Sequence, residues 1–351
     1  MRTRRSLSLL AFGAASALVL GGCAAGDPAP ADSPASDAAV SDEAFTLYSG
    51  RDEELVQPLI DQFTEETGIE VEVRYGNTAE LGALLLEEGD ATPADVFLSQ
   101  DAGALGALSN ADLFTTLPEN IAGAVDAGFT STDGSWVGVT GRARVVAFDG
   151  EKYTADELPD TIDGYTGEEW RGLLGVAPTN ASFQSFVTAY RVLDGDDAAE
   201  TFLTELAANE PQIFDGNSAI LTAVDEGVID AGLINHYYWF RQADEVGQEN
   251  MRAQLKYLEA GDPGSIINVT GAGLLSGSAD DADALAFLEY LVSEAGQSYF
   301  VEQTFEYPLV AGIDAPEGLP SLDSLVNPEL DLSDLDTLSE TQELLTRVGL
   351  I

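Results

Sequence analysis

Residues 45–73 read FTLYSGRDEELVQPLIDQFTEETGIEVEV, and three patterns follow one another within them. Phe45 to Tyr48 is a short apolar run of strand length and Ser49-Gly50 is a turn. Leu55, Val56, Leu59, Ile60 and Phe63 then recur at the three- and four-residue spacing of an amphipathic helix. Gly68 ends that helix, since glycine takes the left-handed terminal position without a Cβ clash. Ile69, Val71 and Val73 then alternate with Glu70 and Glu72 as a half-buried strand does. Strand, helix, strand is the unit from which a mostly parallel α/β sheet is built.

Working outward, the same alternation continues. Leu81 to Leu86 reads as a helix, Pro93 breaks the chain, and Val96 to Leu98 is a buried strand. Further on, Val176 leads through Pro178-Thr179-Asn180 into a helix from Phe183 to Tyr190, and Ile229 to Ile234 is a strand that stops at Asn235. These predict a second sheet, and residues 44–351 suffice for two lobes of ordinary domain size.

Ligands in open α/β sheets collect beyond the carboxyl ends of strands. Four such places carry unusual residues: Tyr48 to Asp52, Ser99 to Asp101, Pro178 to Ser182, and Asn235 to Tyr238.

The N-terminus has a different character. Arg2, Arg4 and Arg5 precede an apolar run from Leu7 to Leu20 that ends in Gly21-Gly22-Cys23, the order of a secretory signal peptide over residues 1–22. The run is shorter than the ~20 apolar residues of a membrane-spanning helix. The small residues before Cys23 resemble a bacterial lipobox, which implies lipidation of Cys23 and a lipid anchor at the outer face of the cell membrane. Residues 23–43 are rich in Ala, Asp, Pro and Ser, contain no aromatic residue, and predict a flexible tether. Cys23 is the only cysteine, which excludes disulfide frameworks and thiolate metal sites.

The formal charge is −48, with 62 acidic residues against 14 basic ones. Nucleic acid and anionic lipid headgroups are therefore excluded as partners, so membrane association must come through the lipid alone. One histidine and one lipidated cysteine leave no Ser-His-Asp or Cys-His arrangement, and an enzyme is not expected.

Asn235-His236-Tyr237-Tyr238-Trp239 places two phenols, an amide and the only histidine directly after a strand. An aromatic cluster is commonly core. On an extended segment, however, adjacent side chains point to opposite faces, so two neighbouring tyrosines fill one core only if the chain turns there. A phenolate is a hard anionic oxygen donor, and its pKa near 10 means that only a strongly polarising cation takes the proton's place at neutral pH. Ferric ion fits that description.

Seven segments in order carry a family resemblance: Tyr48-Ser49-Gly50-Arg51, Pro93 to Phe97, Gly141 to Val146, Asn217-Ser218, Leu233 to Trp239, Asp262-Pro263-Gly264 and Glu306 to Leu309. With these the chain resembles the bacterial ferric-ion-binding proteins of ATP-driven (ABC) iron importers. The resemblance implies a two-lobed periplasmic-binding-protein fold with a hinged cleft and a mixed, mostly parallel sheet flanked by helices in each lobe. The lobes are expected over 44–142 plus 268–318 and over 143–267 plus 319–351.

It also implies Fe³⁺ bound as cargo by Tyr237 and Tyr238, with Asp52 and Asp101 as first-lobe candidates. A synergistic anion, carbonate or phosphate, is expected at Asn180, Ser182, Asn217 and Asn235. Gln100, Arg142 and His236 are expected in the cleft, and an ABC permease is the implied partner of a monomeric receptor. Asp52 sits at a helix start, where capping is the expected role, and Asp101 is the better carboxylate candidate, though it too precedes a helix-like run, Ala102 to Leu108. At least one of Arg142 and Arg144 is expected to pair with a buried acid or an anion. The same fold holding chelated iron or an organic anion is the alternative reading.

Overall fold

The computed structural model describes residues 44–325 and 330–351. The expected signal peptide, Cys23 and the tether lie outside them. Among the described residues no helix is long and apolar enough to cross a membrane.

The opening unit folds as its pattern dictates. Strand β1 (Phe45–Ser49) is followed by helix α1 (Glu53–Thr67), whose buried face is Leu55, Val56, Leu59, Ile60 and Phe63. Gly68 ends α1 at φ 76°, its N–H donating to the Thr64 carbonyl. Strand β2 (Val71–Tyr75) pairs parallel with β1. Then come α2 (Thr78–Glu88), β3 (Val96–Ser99), α3 (Ala102–Asn110), the short α4 (Glu119–Ala122) and β4 (Trp136–Asp149). The second part holds β5 (Leu174–Val176), α5 (Ala181–Asp194), α6 (Asp196–Ala208), β6 (Gln212–Ile213), α7 (Asn217–Asp225), β7 (Ala231–Asn235), α8 (His236–Val246) and β8 (Ala253–Lys256). The chain finishes with β9 (Ile267–Leu274), α9 (Ala282–Leu291), α10 (Glu294–Tyr299), β10 (Tyr307–Pro308) and α11 (Leu338–Val348).

Strand order is β2-β1-β3-β9-β4-β7-β5-β6, with β10 and β8 also on β4. The outer pairs β1–β2, β1–β3, β5–β6 and β5–β7 are parallel, while β4 and β9 run antiparallel to their neighbours. β4 holds the two parts together. Its first half pairs with β9, from Trp136↔Gly273 to Ala143↔Ile267; its second half pairs with β7, from Arg144↔Asn235 to Phe148↔Ala231. The register shifts between Gly138 and Thr140, a bulge within the half of β4 that pairs with β9. All fourteen residues of β4 are buried, so it reads as one continuous run instead of alternating.

The C-terminal segment touches both parts. Its first turn, Leu332–Asp336, packs on α3, where a Cβ on Gly103 would lie 2.7 Å from the Leu335 carbonyl oxygen, so only glycine fits. α11 packs on α5 and α6: Thr341 and Thr188 hydroxyls are 2.8 Å apart, and Arg191 donates to the Thr337 carbonyl at 3.0 Å. Residues 330–351 thus form a strap between the two halves.

Candidate functional site

β7 ends at Asn235 and α8 begins at His236, so Tyr237 and Tyr238 stand in the first turn of a helix and not on an extended segment. The chain does turn there. The opposite-faces argument therefore does not apply, and the rings stack with centroids 4.3 Å apart at 28°. Tyr237 is buried and Tyr238 is partly exposed to a cavity of about 400 Å³. Asp52 and Gln100 from the first part line the same cavity, as do Arg51 and Asn180. Burial, the charge and hydrogen bond of Tyr237, and Asp52 push the Tyr238 phenol well above its ordinary value, with Arg51 opposing. Such a phenol keeps its proton until a stronger cation displaces it.

Asp52 occupies the N-cap position of α1 but makes no capping hydrogen bond and is exposed, so its carboxylate faces the cavity instead of the helix. Asp101 does the reverse. It is buried, accepts from the N–H groups of Gly103 at 3.0 Å and Ala104 at 3.4 Å, and is absent from the cavity wall. Burial raises its pKa, against the opposing charge of Arg142 and these caps. Gln100 lines the cavity, and its N–H donates to the Thr78 hydroxyl at 3.0 Å.

The four residues expected to hold an anion do come together, around Arg144. Its Nη1 donates to Ser182 Oγ at 3.3 Å, Asn217 Oδ1 at 3.4 Å and Asn235 Oδ1 at 3.5 Å. Asn180 caps α5, accepting from the Ser182 N–H at 3.0 Å, and Asn217 Nδ2 donates to Ser182 Oγ at 3.3 Å. Asn217 opens α7 and Asn235 precedes α8, so three helix N-termini meet at one guanidinium. Their dipoles add positive potential to a positive group. Among the described residues no carboxylate pairs with Arg144, and its Nε has no partner. Burial pulls its pKa down to about 9, Tyr238 opposes this and Arg142 adds to it. It remains a cation at neutral pH; of the residues gathered around it, Asn180 lines the cavity, while Ser182, Asn217 and Asn235 are buried.

Two expected cleft residues lie elsewhere. His236 is fully buried: Nδ1 accepts the Ala143 N–H at 3.1 Å, and Nε2 therefore carries the hydrogen and donates to the Phe305 carbonyl at 2.9 Å. Both nitrogens are used, burial lowers its pKa to about 4, and it links α8 to β4. Arg142 is buried under the crossing strands, donating to the Val269 carbonyl at 3.3 Å, and does not line the cavity.

Beneath the tyrosines lies a pair that the sequence reading did not single out. Arg51 forms a salt bridge with Glu306, which also accepts from Thr140, while Thr270 accepts from Arg51. The Arg51 guanidinium sits 5.8 Å from the centre of the Tyr237 ring. Burial alone would raise the Glu306 pKa, but the charges of Arg51 and Arg142 and these hydrogen bonds hold it below the usual value. The available signal was that Arg51 and Glu306 each fall within a segment that carries the family resemblance.

Among the described residues no group of three or more His, Cys, Asp or Glu side chains could hold a metal. The oxygen donors among the cavity's lining residues are hard: the phenols of Tyr75 and Tyr238, the carboxylates of Asp52 and Glu53, and the amides of Asn77, Gln100 and Asn180. Fold and site together define a two-lobed receptor for a small, oxygen-seeking ligand.

Known proteins agree. Residues 91–328 match the family described as bacterial extracellular solute-binding protein. The Fe(3+)-binding periplasmic protein of Serratia marcescens is 32% identical over 315 residues, covering 90% of this chain and 93% of its own. The crystal structure of iron-bound HitA from Pseudomonas aeruginosa superposes with a TM-score of 0.82 at 32% identity, over 87% of this chain and 99% of that one. A Trichodesmium protein solved in complex with iron and citrate ligands gives 0.74 at 28% identity, over 88% and 99%. The chain belongs to the bacterial extracellular solute-binding protein family, a family of binding proteins and not of enzymes.

Proposed function

We propose that this protein captures Fe³⁺ outside the cytoplasm and delivers it, as a monomer, to an ABC importer while anchored to the membrane through lipid on Cys23. The observation that carries the reading is the stacked pair Tyr237 and Tyr238 on the first turn of α8, near a buried cation that pairs with no carboxylate among the described residues. Relatives whose names specify ferric-ion binding support it along nearly their whole length. Tyr237 and Tyr238 donate phenolate oxygens, Asp52 supplies a carboxylate from the opposite side, and Arg144 with Asn180, Ser182, Asn217 and Asn235 receives the synergistic anion. Asp101 serves α3 as its cap. The lobes divide at β4 and β9, as 44–142 plus 268–318 and 143–267 plus 319–351, with the C-terminal strap shared between them.

Loading is coupled to proton release. Because the Tyr238 phenol is raised, uptake is favoured at higher pH and acid returns the protons that displace the metal. The test is spectroscopic: ferric-loaded protein should show a visible phenolate-to-iron band that metal-free protein lacks. The Tyr237→Phe, Tyr238→Phe double variant should lose both band and binding while staying folded; unchanged binding in that variant ends the proposal.

The cavity's size supports a second reading, that the cargo is a ferric chelate of a small organic anion. About 400 Å³ exceeds what one ion and one carbonate fill. Mass spectrometry of protein loaded with ferric citrate, against protein loaded with ferric salt and bicarbonate, separates the two.

A further inference from the structure

Helix α8 walls a second cavity, of about 420 Å³. At about 100° per residue, Phe240, Ala243 and Asp244 lie on the stripe opposite Tyr238. The tyrosine cleft and this cavity therefore share one helix and use its two faces. The rings of Trp239, Phe240, Tyr257 and Phe305 line it, and the exposed carboxylates of Asp244 and Glu317 stand at it. No basic side chain is among its described lining residues. Phe240 and Phe305 stack with centroids 6.3 Å apart at 24°. Phe305 holds φ 57°, a left-handed conformation unfavourable for a bulky residue, and its carbonyl accepts from His236.

We propose that this cavity is a second ligand site, selective for a small organic cation of the alkylammonium type. Aromatic faces carry negative quadrupole potential and attract such cations, and carboxylates at the rim give the charge its second partner. A hard metal ion would require converging oxygens, and no such cluster exists among the described residues. An anion would meet the carboxylates of Asp244 and Glu317 with no basic side chain among the described lining residues to offset them. A neutral apolar ligand would fill the floor and leave the two acids unused.

The walls come from both sides of the crossing strands: α8 and β8 belong with the second sheet, whereas Phe305 and Glu317 follow β9 and flank β10, which pairs with the first half of β4. An occupant therefore favours one relative placement of the two sides, and α8 carries that preference to Tyr238. Site linkage is reciprocal, so ferric loading and cation binding alter each other's affinity by the same factor. Only this coupling rests on the ferric reading; the site itself does not.

The test is calorimetric titration of full-length protein with choline and with 3,3-dimethylbutan-1-ol, its uncharged isostere. Choline should bind 1:1, and the alcohol roughly ten-fold more weakly or worse. The Asp244→Asn, Glu317→Gln pair should weaken choline by a similar factor, and Phe240→Leu should weaken it too. The remote pair Glu65→Gln, Glu70→Gln removes as much charge and should change nothing, which separates a site from general attraction to an acidic protein. No saturable binding of choline, equal binding of the alcohol, or equal weakening by the remote pair overturns the site. Equal choline affinity in ferric-loaded and metal-free protein overturns the coupling.

Discussion

Two buried arginines sit within one site and are treated in opposite ways. Arg51 is neutralised, with Glu306 bound through both carboxylate oxygens and Thr270 completing the set. Arg144 is ringed by two amides, a hydroxyl and a backbone carbonyl, none of which carries charge. Burying a charge without its counter-ion is expensive unless something supplies the missing sign. The first arginine is thus part of the frame; the second has no acidic partner among the described residues, and under the proposed function the anion supplies the missing charge.

That contrast gives graded predictions. Glu306→Ala leaves Arg51 buried and unpaired, and urea unfolding of the metal-free protein should show a loss of about 3–5 kcal/mol. A loss below ~1 kcal/mol would mean that the pair is not the frame described here. Arg144→Met removes a charge that has no acid partner, so the fold should lose little or gain. Ferric binding should at the same time stop depending on added carbonate or phosphate; anion dependence that survives the change would show that Arg144 does not receive the anion.

His236 gives the next effect. Its folded pKa, about 4, lies below the unfolded value near 6.5, so below pH 6.5 the unfolded chain takes a proton that the folded chain refuses. Its contribution is whole above pH 6.5 and is lost as pH falls towards 4, by about 3 kcal/mol in all. His236→Gln can still accept from Ala143 and donate to Phe305, and should flatten the urea-midpoint profile across that window. An unchanged profile would place the acid sensitivity elsewhere.

The smallest effect compares the two aspartates. Asp101→Ala should cost about 1 kcal/mol through loss of the α3 cap, whereas Asp52→Asn, which removes no cap, should cost almost nothing in unfolding assays and weaken ferric binding. Equal stability losses would contradict the assignment of one to the helix and the other to the cleft.

Local pattern carried much of this arrangement. The alternation of Val71 and Val73 with glutamates, and the helical spacing of Leu55 to Phe63, reported β1, α1 and β2 because neighbouring residues decide those elements. The tyrosine pair was visible as a pair, but its secondary structure was not. Aromatic residues favour strands, and the capping signal at Asn235 is obscured because that side chain serves Arg144 instead of the helix. Asp52 misled in the other direction, since a helix-start aspartate usually caps and this one does not. Arg51 and Glu306 are 255 positions apart, and no periodicity connects residues that meet only when the sheet is assembled.

That assembly has a consequence during synthesis. β9 lies between β3 and β4, although it is made long after both. Until residue 274 has emerged, β3 and β4 each present a bare edge of unpaired backbone groups, and exposed edges invite pairing with other chains. The first half of this protein therefore cannot finish alone at the front of the growing chain, as an N-terminal domain ordinarily does. It must be kept apart from its copies until the last third arrives, so faster translation or delayed collapse should raise the yield of native protein.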